Sequence, residues 1–143
     1  MPDPASPLTL AAPVRAFLDA TPPRHATVTT TGADGAPWVA ILWYRLLPDD
    51  GLLLNSRIGR VWPTNLLRDP RCVLSVEENG RWVALRGAVE TIDDRAQGLA
   101  DILSLADRYH AGDAESLERA RRVFTPQDRI SFILRPVAAS VHL

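Results

Sequence analysis

The sequence predicts a mainly β, α+β domain: six or seven antiparallel strands in a small closed or split barrel, packed by flanking helices. Three observations lead there. Strand-like runs follow one another through tight turns from His25 to Ile92, and Asn79-Gly80 is the strongest hairpin signal among them. Between Asp93 and Phe124 the apolar period changes to the helical 3.6. Strand alternation then returns with Ile130, Phe132 and Leu134. Hairpin-length connections argue against a parallel, doubly wound sheet, and the chain has no glycine fingerprint of the dinucleotide-binding type.

Taken in order, residues 1–8 carry three prolines and read as a loose lead-in. Leu10, Val14, Phe17 and Leu18 have helical spacing with Pro13 near the start, which predicts a helix over 9–20, stopped by Thr21-Pro22-Pro23. His25–Thr31 is a β-branched strand, and Gly32–Ala36 a hairpin turn. From Trp38 to Leu47 apolar residues fall on both parities, so this strand should be covered on both faces. One cover is the barrel interior; the other must be a helix, a second subunit or a flat ligand. Pro48–Gly51 turns the chain into the strand Gly51–Ser56, and a short helix is expected over 63–69 with Pro63 at its first position. Arg71–Glu78 and Arg81–Ile92 are strands. Leu99, Ile102, Leu103, Ala106 and His110 predict one helical face, and a second short helix lies near 113–123 after Gly112. Arg129–Leu134 and Val137–Leu143 read as two strands, with Pro136 marking an edge or a bend.

At 143 residues the chain is most simply one domain over 1–143. A net charge of -1 gives no general attraction to nucleic acid or anionic membrane. No apolar run approaches the ~20 residues that span a bilayer. MPDPASPLTL lacks a basic head followed by an apolar core, so no secretory leader is expected, and a cytoplasmic location follows. Cys72 is alone, and His25, His110 and His142 are dispersed, so no metal site is expected. All 16 basic residues are arginine. An anion must therefore be met by guanidinium, hydroxyl, amide or backbone groups.

The chemistry concentrates where Leu52-Leu53-Leu54 gives way to Asn55-Ser56-Arg57-Ile58-Gly59-Arg60 and a helix start. Hydrogen-bonding side chains, two arginines, a glycine and free helix N–H groups make a phosphate-sized cradle. Arg57 and Arg60 either grip an anion there, stand in a solvated basic turn, or form salt bridges to Asp69 or Glu77. Ser56 and Asn55 either contact the same anion or cap local backbone. Trp43 and Trp62 are candidate walls for a planar ring or ordinary packing, whereas Trp38 and Trp82 belong to the core or a subunit interface.

The segments HATVTTTGADGAPWVAILWY, LLLNSRIGRVWPTNLLRDPRCVLSV and RWVALRGAVE resemble the pyridoxamine-phosphate-oxidase-like split-barrel flavoproteins, and within them the flavin/deazaflavin oxidoreductases. The resemblance spans about 20–142, and its most specific piece is Asn65-Leu66 through Asp69-Pro70-Arg71. It implies the FMN-binding split-barrel fold and a homodimer with two cofactors at the subunit interface. The implied cofactor is coenzyme F-420, alternatively FMN or, less commonly, haem. The ring would lie against the strand Val39–Trp43, where Ile41 and Trp43 stand. The phosphate would lie at Asn55, Ser56, Arg57, Arg60, Trp62 and Asn65. Many relatives carry a lysine three positions before that asparagine; here the position is Trp62. Asn65 also has a plain role as a helix anchor, and Arg86 either reaches the partner's cofactor or sits in a salt bridge.

The expected activity is hydride transfer from reduced coenzyme F-420 to a small organic acceptor. No catalytic side chain is assigned, and Tyr44, Tyr109 or a water is the proton source. The alternatives are an FMN enzyme of the same fold and a non-catalytic cofactor- or haem-binding module. True pyridoxamine phosphate oxidation is not expected, because RPVAASVHL lacks the further basic residues that recognise the substrate phosphate.

Overall fold

The computed structural model describes residues 6–143. Its elements run α1 (Ala12–Asp19), β1 (Ala26–Thr31), β2 (Pro37–Leu42), β3 (Arg45–Leu46), β4 (Leu52–Arg57), α2 (Val61–Arg68), β5 (Arg71–Glu78), β6 (Arg81–Ile92), α3 (Arg95–Tyr109), α4 (Ala114–Phe124) and β7 (Arg129–His142). The strands form one antiparallel sheet in the order β2-β1-β5-β6-β7-β4-β3. Its two outermost strands are consecutive in the chain, with only Trp43 and Tyr44 between them. A flat seven-stranded sheet would separate its outer strands by about 28 Å at ~4.7 Å per step, so the sheet has to curl. The result is the split barrel expected from the sequence.

Tyr44 fastens that closure. It is fully buried, its hydroxyl donates to the Leu18 carbonyl at 2.6 Å, and its N–H donates to the Tyr109 hydroxyl at 3.1 Å. The strand expected over 38–47 is therefore two strands: the chain leaves one end of the sheet at Leu42 and joins the other at Arg45. The two strands expected after Arg129 are instead one, β7, running through Pro136. Pro136 is tolerated because β6 has a register shift at Arg86/Gly87 opposite it. Gly87 permits the approach: a Cβ there would stand 2.1 Å from the Arg135 carbonyl oxygen.

The interior is filled by alternate residues of each strand, among them Val28, Leu54, Leu74, Leu85 and Phe132. α1 adds Val14, Phe17 and Leu18, the i, i+3, i+4 stripe of an amphipathic helix, with Pro13 in its first turn. α2 adds Trp62 and Leu66. It starts two residues earlier than expected, which puts Pro63 inside the first turn, where no N–H is needed. Each fully buried large apolar side chain stabilises the fold by roughly 1.5–3 kcal/mol.

α3 lies on the outside, across β7 and β4. Its buried face is Gly98, Ile102, Leu105 and Ala106, one step round from the expected stripe, with Leu99 and Leu103 half-buried. Gly98 sets the distance, since a Cβ there would lie 2.4 Å from the Arg129 carbonyl oxygen. Asp94 caps α3 through the Gln97 N–H, and Asp113 caps α4 through the Ser116 N–H. α4 buries no residue fully. No helix among the described residues is long and apolar enough to cross a membrane. The lead-in lies mostly outside the described residues, but Leu8 N–H donates to the Pro136 carbonyl.

Candidate functional site

Two hollows meet where β2, the end of β4 and the start of α2 converge. The outer one, about 510 Å³, is lined by Trp38, Ala40, Ile41, Arg57, Gly59, Arg60, Val61 and Trp62. The inner one, about 230 Å³, is walled by Ile41, Leu42, Trp43, Trp62, Ile102 and Phe124, with His25, Asn55, Arg60 and Arg129 supplying polar groups. Ile41, Arg60 and Trp62 border both. Thus Ile41, Trp43, Asn55, Arg57, Arg60 and Trp62, far apart in sequence, stand around one place. Ser56 and Asn65 line neither hollow.

The local chain path explains the grouping. β4 ends at Arg57, and Gly59, with φ of +95°, makes a turn that a side chain would strain. Arg60 is the N-cap of α2 and brings no capping side chain; the first turn of the helix holds no acidic residue. The N–H groups of Val61 and Trp62 are among the free donors of that first turn, next to Arg57 and Arg60. On the other side, β2 is an edge strand whose Trp38, Val39 and Ile41 are 48%, 56% and 64% exposed. Val39 and Ile41 share one face of this strand, which is bare; on the other face Leu42 is buried and Ala40 half-buried against the barrel, while Trp38 at its far end stays exposed.

Asn55 is buried and ties three elements together. Its Nδ2 donates to the Gly98 carbonyl and to Ser131 Oγ, and its Oδ1 accepts from Arg129 Nε at 2.9 Å. Ser131 Oγ donates to Asp101. Ser56 Oγ donates to the Arg57 carbonyl, and Asn65 holds Thr30 Oγ1 while accepting from Arg68. These three polar side chains therefore brace the walls.

Arg57 and Arg60 are exposed and enter no ion pair among the described residues. The salt bridges weighed for them do not form: Asp69 pairs with Arg71, and Glu77 accepts from the Gly80 N–H. A third guanidinium was missed in the sequence. Arg129 is 8% exposed and stands directly across the β4–β7 ladder from Arg57. It is held by neutral partners, Asn55 and Gln127, and its guanidinium lies 4.9 Å from the Phe124 ring centroid. Burial first, then the charges of Arg60 and Arg57, pull it down to about 10. Like charges facing each other across a ladder are destabilising, and no carboxylate pairs with any of these three guanidiniums among the described residues.

The inner hollow is roofed by aromatics. Trp43 stacks on Tyr109 at 4.9 Å and meets Phe124 and His110 edge-on. Trp62 packs against Phe132 at 5.9 Å while bordering both hollows. Neither tyrosine reaches a hollow: Tyr44 donates to Leu18, Tyr109 donates to the Arg24 carbonyl, and burial raises both hydroxyls above their ordinary value. No group of three or more metal-ligating side chains occurs among the described residues. Trp82 is surface-exposed and stacks on His142. Arg86 is exposed, forms no ion pair among the described residues, and lines a separate hollow of about 610 Å³ over the outer face of β1, β5, β6 and β7 with Thr29, Thr31, Arg71 and Arg135.

The family model described as pyridoxamine 5'-phosphate oxidase matches residues 10–131. Among solved structures, an F420 reductase is 27% identical with a TM-score of 0.69, over 88% of this chain and 94% of its own. A conserved hypothetical protein from Mycobacterium tuberculosis is 20% identical with a TM-score of 0.75, over 94% of this chain and 85% of its own. A heme storage protein from Vibrio cholerae is 13% identical with a TM-score of 0.66, over 94% and 95% of the two chains. The last two likenesses are likenesses of fold. No curated protein matches the sequence.

Proposed function

The chain belongs to the pyridoxamine 5'-phosphate oxidase family, and from that premise we propose that it is an F-420-dependent oxidoreductase passing hydride to a small organic acceptor. The observation that carries this reading is the pairing of unneutralised Arg57 and Arg60 with the bare apolar strand β2. A planar ring with an anionic tail suits both halves: the ring lies on Val39–Trp43, and the tail on the guanidiniums and the first N–H groups of α2. The F420 reductase at 27% identity supports this choice of cofactor.

Reduced deazaflavin, when bound, supplies the hydride. The chain's own residues do the rest. Arg57 and Arg60 would hold the tail, and Trp62, at the position where the resemblance puts a lysine in many relatives, would border it. Asn55 and Asn65 fix the two walls so that the cradle keeps its shape. With both tyrosine hydroxyls bound to carbonyls, the proton for the acceptor is held by His25, which borders the inner hollow, or by water.

A second copy of the chain completes the site. Trp38, Val39 and Ile41 form an open, apolar edge, which soluble proteins rarely leave uncovered. A twin seated there would shield the ring from water. FMN in the same cradle is the alternative. Titrating pure protein with each cofactor decides between them: saturable quenching or polarisation of F-420 fluorescence at micromolar concentration supports the proposal. Flavin absorbance on purification with no F-420 binding would replace it with the FMN enzyme.

A further inference from the structure

The inner hollow has a chemistry of its own. Arg129 is the most buried cation around it, at 8% exposure, and no carboxylate pairs with it among the described residues. Asn55 and Gln127 engage two of its five donors and fix its direction without neutralising its charge. Asp128, its neighbour in sequence, is turned to Arg95. Besides the exposed His25 and Arg60, the remaining wall is flat and apolar: Trp43, Trp62 and Phe124 with Ile41, Leu42 and Ile102. At about 230 Å³ the space is below the roughly 300–1,000 Å³ of drug-sized pockets. A buried charge without a counter-charge is costly, and a small anion entering beside Phe124 would remove that cost.

We propose that the inner hollow is a specific site for a small planar monocarboxylate of benzoate size, its carboxylate bound by Arg129 and its ring lying among Trp43, Trp62 and Phe124. As a statement about the substrate this rests on the reading of the adjoining outer hollow as the cofactor's berth, since Ile41, Arg60 and Trp62 border both. As a statement about binding it stands alone. Arg129 then selects acids over neutral acceptors, and the aromatic roof selects flat ones.

The test uses the full chain without cofactor, benzoate as probe, benzamide as its neutral isostere, and the fluorescence of the wall tryptophans as readout. Benzoate is expected to saturate and benzamide to bind at least ten-fold more weakly. R129Q should weaken benzoate at least ten-fold while changing FMN or F-420 affinity less than three-fold. R57Q should do the reverse, because Arg57 borders the outer hollow only. F124A gives a second route if R129Q does not fold, since α4 buries no residue fully; it should weaken benzoate several-fold. No saturable benzoate signal, equal affinity for benzamide, or F124A binding like the parent would overturn the proposal. So would benzoate binding that R57Q abolishes and R129Q spares, which would place the acid on the cofactor's tail site. Benzoate binding without any F-420 or FMN binding would sink the cofactor reading and leave this one standing.

Discussion

Replacing Arg60 with glutamine separates binding from stability. The side chain is exposed, forms no ion pair among the described residues and borders both hollows. Its charge also presses on Arg129, whose guanidinium is lowered by burial and next by Arg60. A charge-assisted hydrogen bond to phosphate is worth about 1.5–3 kcal/mol, and about 1.4 kcal/mol is a factor of ten, so R60Q should weaken F-420 about 10- to 100-fold. The same change removes a repulsion and no partner, so the folded state should be unchanged or slightly more stable, within about 0.5 kcal/mol. Fluorescence polarisation in low and high salt measures the first effect, whose size should shrink as salt screens the exposed charges. A thermal melt measures the second. A fall in melting temperature of more than about 4 °C, equivalent to roughly 1 kcal/mol at this size, would show that Arg60 supports the fold and refute the reasoning. So would unchanged cofactor affinity.

Other outcomes follow from the same geometry. The Cys72 thiol is buried and pushed up to about 12, so it should resist alkylation at pH 8 and react only on unfolding. Because the unfolded thiol ionises near 9 and the folded one does not, stability in urea should fall as pH rises from about 9 to 12, and C72A should flatten that slope. G87A should lower unfolding free energy by about 3 kcal/mol in chemical denaturation, since its Cβ would stand 2.1 Å from a backbone oxygen. I41E, at a position 64% exposed in the protomer, should leave the melt intact but convert a dimer to a monomer in light scattering. A parent protein that is already monomeric would contradict the shared site.

The turns were the most legible part of the fold. Asn79 and Gly80 have φ of +54° and +79°, the positive values that an Asn-Gly hairpin demands. The helical stripe of α1 and the period change before α3 read just as directly. The break after Leu42 did not, because Trp43, Tyr44 and Leu46 continue the apolar run without a glycine, proline or charge pair to mark it. Nor did the unbroken β7, since the residue that accommodates Pro136 is Gly87, 49 positions earlier, a pairing that only the fold creates. The site shows the same division. The cluster from Asn55 to Arg60 is local and could be read as a cradle, although its hydroxyl and its one side-chain amide brace the walls. Arg129 looked like the ordinary start of a strand. Its role comes from register opposite Arg57 and from the cover of α3, neither of which spacing along one segment reveals.

The most direct test of the account is a side-by-side titration of the parent protein with F-420 and FMN at physiological salt, with its mass followed by light scattering. The account predicts saturable micromolar F-420 binding, one per protomer, by a particle of twice the 15.7 kDa chain mass. Binding of neither cofactor by a monomer would contradict it.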